Sequence, residues 1–265
     1  MKRFYLLLIL LLTLGHTVKA QQPAIAVGTP RLVEIADETL TYDVIYKWGF
    51  INKVAGHATM SLRSEGDLYK ASLFAQNAPW ANSIYMLRDT LYTTMTRDGL
   101  YPQQYIYIAH EAGKYKKDVV DFTRNGNEFS AQCLRLKRPA PGDPVSKSTI
   151  SLEANGMTVD MLSAFFYLRA LDFGAMSKGN SVTVNIFSGT KKELLTITYL
   201  GRQNIQLNDG KIATYYINFS FTHNGTQSSA PISGWISADA RRIPVKVEGQ
   251  LPVGKVRAIY TGPNP

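Results

Sequence analysis

Apolar and polar residues alternate along most of this chain with the period of two expected of strands, whose successive side chains face opposite sides. In LTYDVIYKW, Leu40, Tyr42, Val44, Tyr46 and Trp48 share one face, while Thr41, Asp43 and Lys47 share the other. VAGHATMSLR continues the rhythm, with Val54, Gly56, Ala58, Met60 and Leu62 opposite His57, Thr59, Ser61 and Arg63. The two segments are expected to be consecutive antiparallel strands. Similar runs recur at LYKASLFAQ, QYIYIAH, KKDVVDF, EFSAQCLRLK, SVTVNIF, LLTITYL, IATYYINFSF, IPVKVEG and KVRAIY. Between them, NGN from Asn125, SGTKK from Ser188 and NDGK from Asn208 supply turn residues that tolerate positive φ.

Two stretches break the rhythm. NSIYMLRDTLYTTMT fits either a short helix or an irregular strand crossing. TVDMLSAFFYLRALDFG predicts a helix, capped by Thr158, with Asp160 in its first turn and Gly174 at its end. The proline and glycine density of KRPAPGDPVSKSTISLEANG predicts a crossover loop over 139–157 between two groups of strands. The pattern as a whole predicts one mainly β domain over residues 21–265, with one principal helix. A hydrophobic content of 45% and 15 tyrosines agree with a strand-rich globular chain.

The opening MKRFYLLLILLLTLGHTVKA changes the picture of where the protein works. Two cations, an apolar run from Phe4 to Leu12 and small residues at Val18 and Ala20 read as a secretory signal cleaved after Ala20. The run is shorter than the roughly 20 residues needed to span a bilayer, and no cysteine stands near the cleavage point to carry a lipid anchor. A soluble, exported, periplasmic protein is expected. The net charge of +9 falls by three with Lys2, Arg3 and Lys19. The remaining cations are scattered through strand-like sequence as solvated faces are, and no nucleic-acid motif accompanies them, so no nucleic-acid partner is expected. Cys133, the single cysteine, excludes an intramolecular disulfide, and its alternation with Phe129 and Ala131 marks it as a small buried hydrophobe.

Little in the chain points to catalysis. HEAGK at His110 lacks the second histidine of a zinc-protease helix. His57 and His223 share no ligand spacing with other donors, and Asp118 and Asp121, three apart on a strand, point to opposite faces. No catalytic residue, metal or cofactor is expected. GWISADARRIPVKV reads as strand, turn and strand, with Asp239 in the turn, Pro244 at a strand start or edge, and Arg241 and Arg242 free for an anion. On a helical wheel Arg169 falls about 180° from Asp160, among Leu162, Phe165 and Phe166. There it either pairs with a carboxylate, Asp239, Glu248 or Asp43, or meets the anionic head of a ligand lying on the phenylalanines.

TYDVIYKWGFINKVAGHATMSL, VDMLSAFFYLRALDFG and GWISADARRIPVKVEGQLPVGKV, in that order, resemble a family of exported bacterial proteins catalogued as domain of unknown function 3108. The resemblance implies a curved antiparallel sheet, a half-barrel or incomplete barrel, with the helix packed against it. That outline is similar to the periplasmic lipoprotein carriers LolA and LolB, whose concave apolar face holds acyl chains. The expected function is therefore noncatalytic binding or carriage of a lipid, acyl chain or lipoprotein segment, with Phe165, Phe166, Arg169, Trp235, Arg241 and Arg242 as candidate ligand contacts. The alternative is a structural or assembly factor of the cell envelope that offers strand edges or a basic face to a protein or anionic polysaccharide.

Overall fold

The computed structural model describes residues 34–265 apart from 84–85, 208–209 and 229, and the expected signal segment lies outside the described residues. The first half of the chain is a meander of hairpins: β1 (Glu38–Trp48), β2 (Ile51–Glu65), β3 (Leu68–Asn77), β4 (Leu87–Thr96), β5 (Pro102–Glu111), β6 (Lys114–Asn125), β7 (Glu128–Arg138) and β8 (Ser146–Asn155). A short strand β9 (Thr158–Asp160) and the helix α1 (Ser163–Ala170) follow. The second half comprises β10 (Ser181–Phe187), β11 (Lys192–Leu207), β12 (Gly210–His223), β13 (Thr226–Gln227), β14 (Ile232–Ser237), β15 (Pro244–Gln250) and β16 (Lys255–Tyr260).

β1 pairs with β16, Tyr42 opposite Tyr260 and Lys47 opposite Lys255. The strand order is therefore β8-β7-β6-β5-β4-β3-β2-β1-β16-β15-β14-β12-β11-β10-β9, with β13 beside β12. The sheet curls into a barrel that is nearly closed, with one unsealed seam. Side chains bridge from β10 and β11 to β8: Asn185 Nδ2 donates to the Asn155 carbonyl and Lys192 Nζ to that of Glu153, each at 2.9 Å. The Phe122 and Phe187 rings stack at 5.7 Å. Gly189, at φ +72°, lies so close to the Asp118 carboxylate that a Cβ would sit 2.3 Å from Oδ2. The incomplete barrel expected from the resemblance is present.

One undecided element is resolved as a strand, and two others differ from the sequence reading. After a 3-10 turn at Pro79–Ser83, the undecided stretch becomes a regular strand, β4, with Leu87, Asp89, Leu91, Thr93 and Met95 buried on one face. Over half of the expected crossover 139–157 is strand β8, which pairs along its length with β7. Its residues are mostly exposed, so no apolar alternation announced it. The helix is shorter than its pattern, because Thr158–Asp160 pair in parallel with β10, Val159 opposite Ile186, and that pairing holds them extended. Asp160 still serves the helix start: its Oδ1 accepts the N–H groups of Leu162 and Ser163 at 2.8 Å each, and its Oδ2 accepts the Thr93 hydroxyl at 2.6 Å.

Every residue of α1 except Phe165 is buried. A helix covered on all sides belongs inside a core, and here it fills the barrel. Arg169, on its last turn, is 3% exposed. It pairs with Glu38 through Nη1 and donates from Nη2 to the Arg241 carbonyl at 2.8 Å. The partner is thus Glu38, and none of Asp239, Glu248 and Asp43: β1 begins beside the helix C-terminus, while Glu248 is held by Lys255 at 3.0 Å and Asp43 by His57 at 2.9 Å. Removing one member of a buried pair strands the other, so Arg169→Ala should cost about 3 kcal/mol. Arg169→Met combined with Glu38→Leu should recover most of that loss, as read from urea-denaturation midpoints.

Candidate functional site

Between one face of the helical segment and the wall of the barrel lies an apolar cavity. The helical side contributes Met161, Ala164, Phe165 and Leu168, and the wall contributes inward positions of β1–β4, β10–β12 and β14–β16. The period-two alternation aims these side chains inward, as at Tyr42 and Val44, Ala58 and Met60, Leu73 and Ala75. The cavity has a free volume of about 120 Å³ and is open to solvent on one side. The half-buried lining residues, Phe219, Val247 and Ala258 among them, mark where it opens.

Only Tyr42 and Asp89 bring a hydroxyl or a charge to this lining, which contains no Lys, Arg or His. They stand in one cross-strand row, Tyr42 opposite Ala58, Ala58 opposite Ala75, and Ala75 opposite Asp89. The Tyr42 hydroxyl and Asp89 Oδ1 are both buried without a hydrogen-bond partner among the described residues. Asp89 Oδ2 accepts the Tyr107 hydroxyl at 3.3 Å. Burial, aided by repulsion from Glu111 and opposed by Tyr107 and Lys116, pushes the Asp89 carboxyl up to about 7. Burial likewise raises Tyr42 far above the ordinary phenol range, so its hydroxyl keeps its proton.

Beside the cavity other interior groups are paired. Arg135 donates to Asp118 from Nε and Nη2, each at 2.6 Å, in a bidentate pair between directly opposed residues of β6 and β7. Cys133 is fully buried, and burial pushes its thiol up to about 11, which makes it inert as a nucleophile. His110 and Glu111 close strand β5 ahead of a tight turn, so HEAGK is no zinc helix. Among the described residues no three His, Cys, Asp or Glu side chains are grouped to hold a metal ion.

Of the six candidate contacts read from the sequence, Phe165 lines the cavity. Phe166 is buried in the core, and the Arg169 guanidinium lies over its ring. Trp235 faces the outside of the wall, since its neighbours Gly234 and Ile236 line the cavity; there it stacks on Tyr216 at 5.0 Å beneath Lys246. Arg169, Arg241 and Arg242 gather with Glu34, Asp37 and Glu38 around a separate surface recess of about 230 Å³, where acids offset the cations. Asp239 holds the turn, accepting the Ser237 hydroxyl at 2.6 Å and the Arg242 N–H at 3.1 Å. Tyr42 and Asp89 were not among the candidates. The signal for Asp89 was an acid at an inward position of the alternation Leu87, Asp89, Leu91.

The family described as protein of unknown function DUF3108 matches residues 41–261. The chain belongs to this family. The DUF3108 match runs from within β1 to just past β16 and takes in every residue that lines the cavity. A beta-barrel-like protein of the family DUF1849 from Brucella abortus is similar in structure, with a TM-score of 0.61 at 10% identity, over 86% of this chain and 97% of that one. A Bacteroides fragilis protein described as exported and YmcC-like in fold aligns at a TM-score of 0.32 and 7% identity, over 86% of this chain and 97% of that one. No protein of curated function matches. Among the described residues no helix is long and apolar enough to cross a membrane.

The Asp89 shift has a sign. Its folded value lies near 7, above the roughly 3.9 of an unfolded chain, so between those values the folded state retains a proton that the unfolded state has released. Stability contributed by the neutral acid is therefore lost as pH rises from about 4 to about 7. Asp89→Asn should flatten this loss: the difference in urea midpoint between variant and wild type should be more favourable to the variant at pH 8 than at pH 4.5.

Proposed function

We propose that the protein binds the apolar chain of a lipid or acylated ligand in the cavity between α1 and the barrel wall, as a noncatalytic binding or carrier protein of the bacterial envelope. The observation that carries this reading is a preformed recess lined almost wholly by apolar side chains and open at one side. An engineered apolar cavity of about 150 Å³ holds benzene. The 120 Å³ here therefore seats a chain end of a few carbons, with the remainder of the ligand extending out through the mouth. Mass spectrometry of lipid extracted from protein purified from its native envelope tests the reading. Wild type should carry stoichiometric lipid and Ala58→Phe, which fills the recess, should carry little; wild type free of lipid would count against carriage.

A second reading, an envelope assembly factor, is favoured by one surface. The β1–β2 and β15–β16 hairpin tips lie side by side, Tyr46 donating to the Val253 carbonyl at 3.1 Å, and expose Trp48 by 54%, Phe50 by 100% and Val253 by 46%. Lys47 and Lys53 flank them, with no acid from Tyr46 to Lys53 or from Leu251 to Lys255. Such a patch fits a partner that is apolar and anionic. If this reading holds, Phe50→Ser should abolish cross-linking to an envelope partner and leave bound lipid unchanged.

A further inference from the structure

The cavity has a polar feature that binding of a plain hydrocarbon does not explain. Its hydroxyl and its carboxylate, Tyr42 and Asp89, are 6% and 3% exposed, and each holds one atom without a partner. Buried polar atoms are ordinarily paired, and one left unpaired is costly. The two alanines between them keep the row open: with side chains no longer than a methyl group, Ala58 and Ala75 leave free the space above the wall that larger residues would fill. Three strand spacings of about 4.8 Å put the two backbones roughly 14 Å apart, the span that a ligand touching both would cross.

We propose that the row Tyr42, Ala58, Ala75, Asp89 is the recognition element of the cavity, and that its ligand is an uncharged, hydroxylated amphiphile. One ligand oxygen accepts from the Tyr42 hydroxyl, a ligand hydroxyl donates to Asp89 Oδ1, and the apolar body lies against Met60, Leu73 and Phe165. The lining holds no Lys, Arg or His, and Arg169 and Arg241, whose charges act on Tyr42, are already paired with Glu38, so a phosphate or carboxylate head would enter beside an acid without a free counter-charge. The inference rests on the cavity being a ligand site and adds the class of ligand.

Displacement of the dye N-phenyl-1-naphthylamine at pH 8 by 1,2-octanediol, octane and octanoate separates the two claims. The diol should displace the dye at least tenfold more effectively than octane, and octanoate should be weakest. Tyr42→Phe, which removes only the hydroxyl, and Asp89→Leu should each weaken the diol about tenfold while leaving octane within about twofold. Octane equal to the diol, octanoate stronger than the diol, or variants that leave the diol unchanged would each overturn the recognition row and leave the apolar site standing. Failure of the dye and all three probes to bind would overturn both.

Discussion

A wall of fifteen strands encloses more space than its own side chains can fill. About eight strands make a barrel that wall residues just close, and sixteen to eighteen leave an open channel. This chain meets that constraint by turning inward at its midpoint. β9 and α1 place Val159, Leu162, Phe166, Leu171 and Phe173 inside, all 1% exposed or less. The short helix, its burial on nearly every side and the pairing of β9 with β10 are parts of one solution. The cavity is the portion of the interior that this plug leaves unfilled. Its position is set by small residues, Ala58, Ala75, Ala164, Gly234 and Ala258, where both wall and plug are thin.

Polar groups inside so large a core are tolerated where each is answered. Asp118 is clasped by Arg135, Glu38 by Arg169, and Asp160 by Thr93 and two backbone N–H groups. These pairs join elements distant in sequence, Arg169 reaching Glu38 across 131 positions, and so tie the plug to the wall. A buried pair adds little stability over a well-packed apolar pair, but its geometry discriminates against other arrangements. Tyr42 and Asp89 are set apart because each lines the cavity and each keeps one buried polar atom without a partner among the described residues.

Much of the wall was legible because alternation is local: Leu40, Tyr42 and Val44 report their common face without knowledge of any partner. β8 was illegible for the opposite reason. With both faces largely exposed it has no apolar rhythm, and only its pairing with β7 makes it a strand. The first turn of the expected helix was lost to a parallel pairing that no local pattern encodes. At the site, the helical wheel placed Arg169 in the apolar interior, but its partner depended on where β1 begins, which is tertiary information. Trp235 and the two turn arginines drew notice by chemical richness, whereas the cavity is marked mainly by what is missing, three alanines and a glycine at inward positions of the wall.

The strand order also fixes what each end of the chain does. In most meanders the first and last strands are edges, and trimming them shortens the sheet. Here β1 and β16 lie together at its centre, and the midpoint of the chain lies at the seam. During synthesis the first seven hairpin strands can pair with neighbours already made, yet β1 keeps one side open until Lys255–Tyr260 emerge. Without Lys255–Tyr260 the two arms of the sheet would lack their common hinge, so loss of this one strand is felt in the middle of the sheet rather than at its rim.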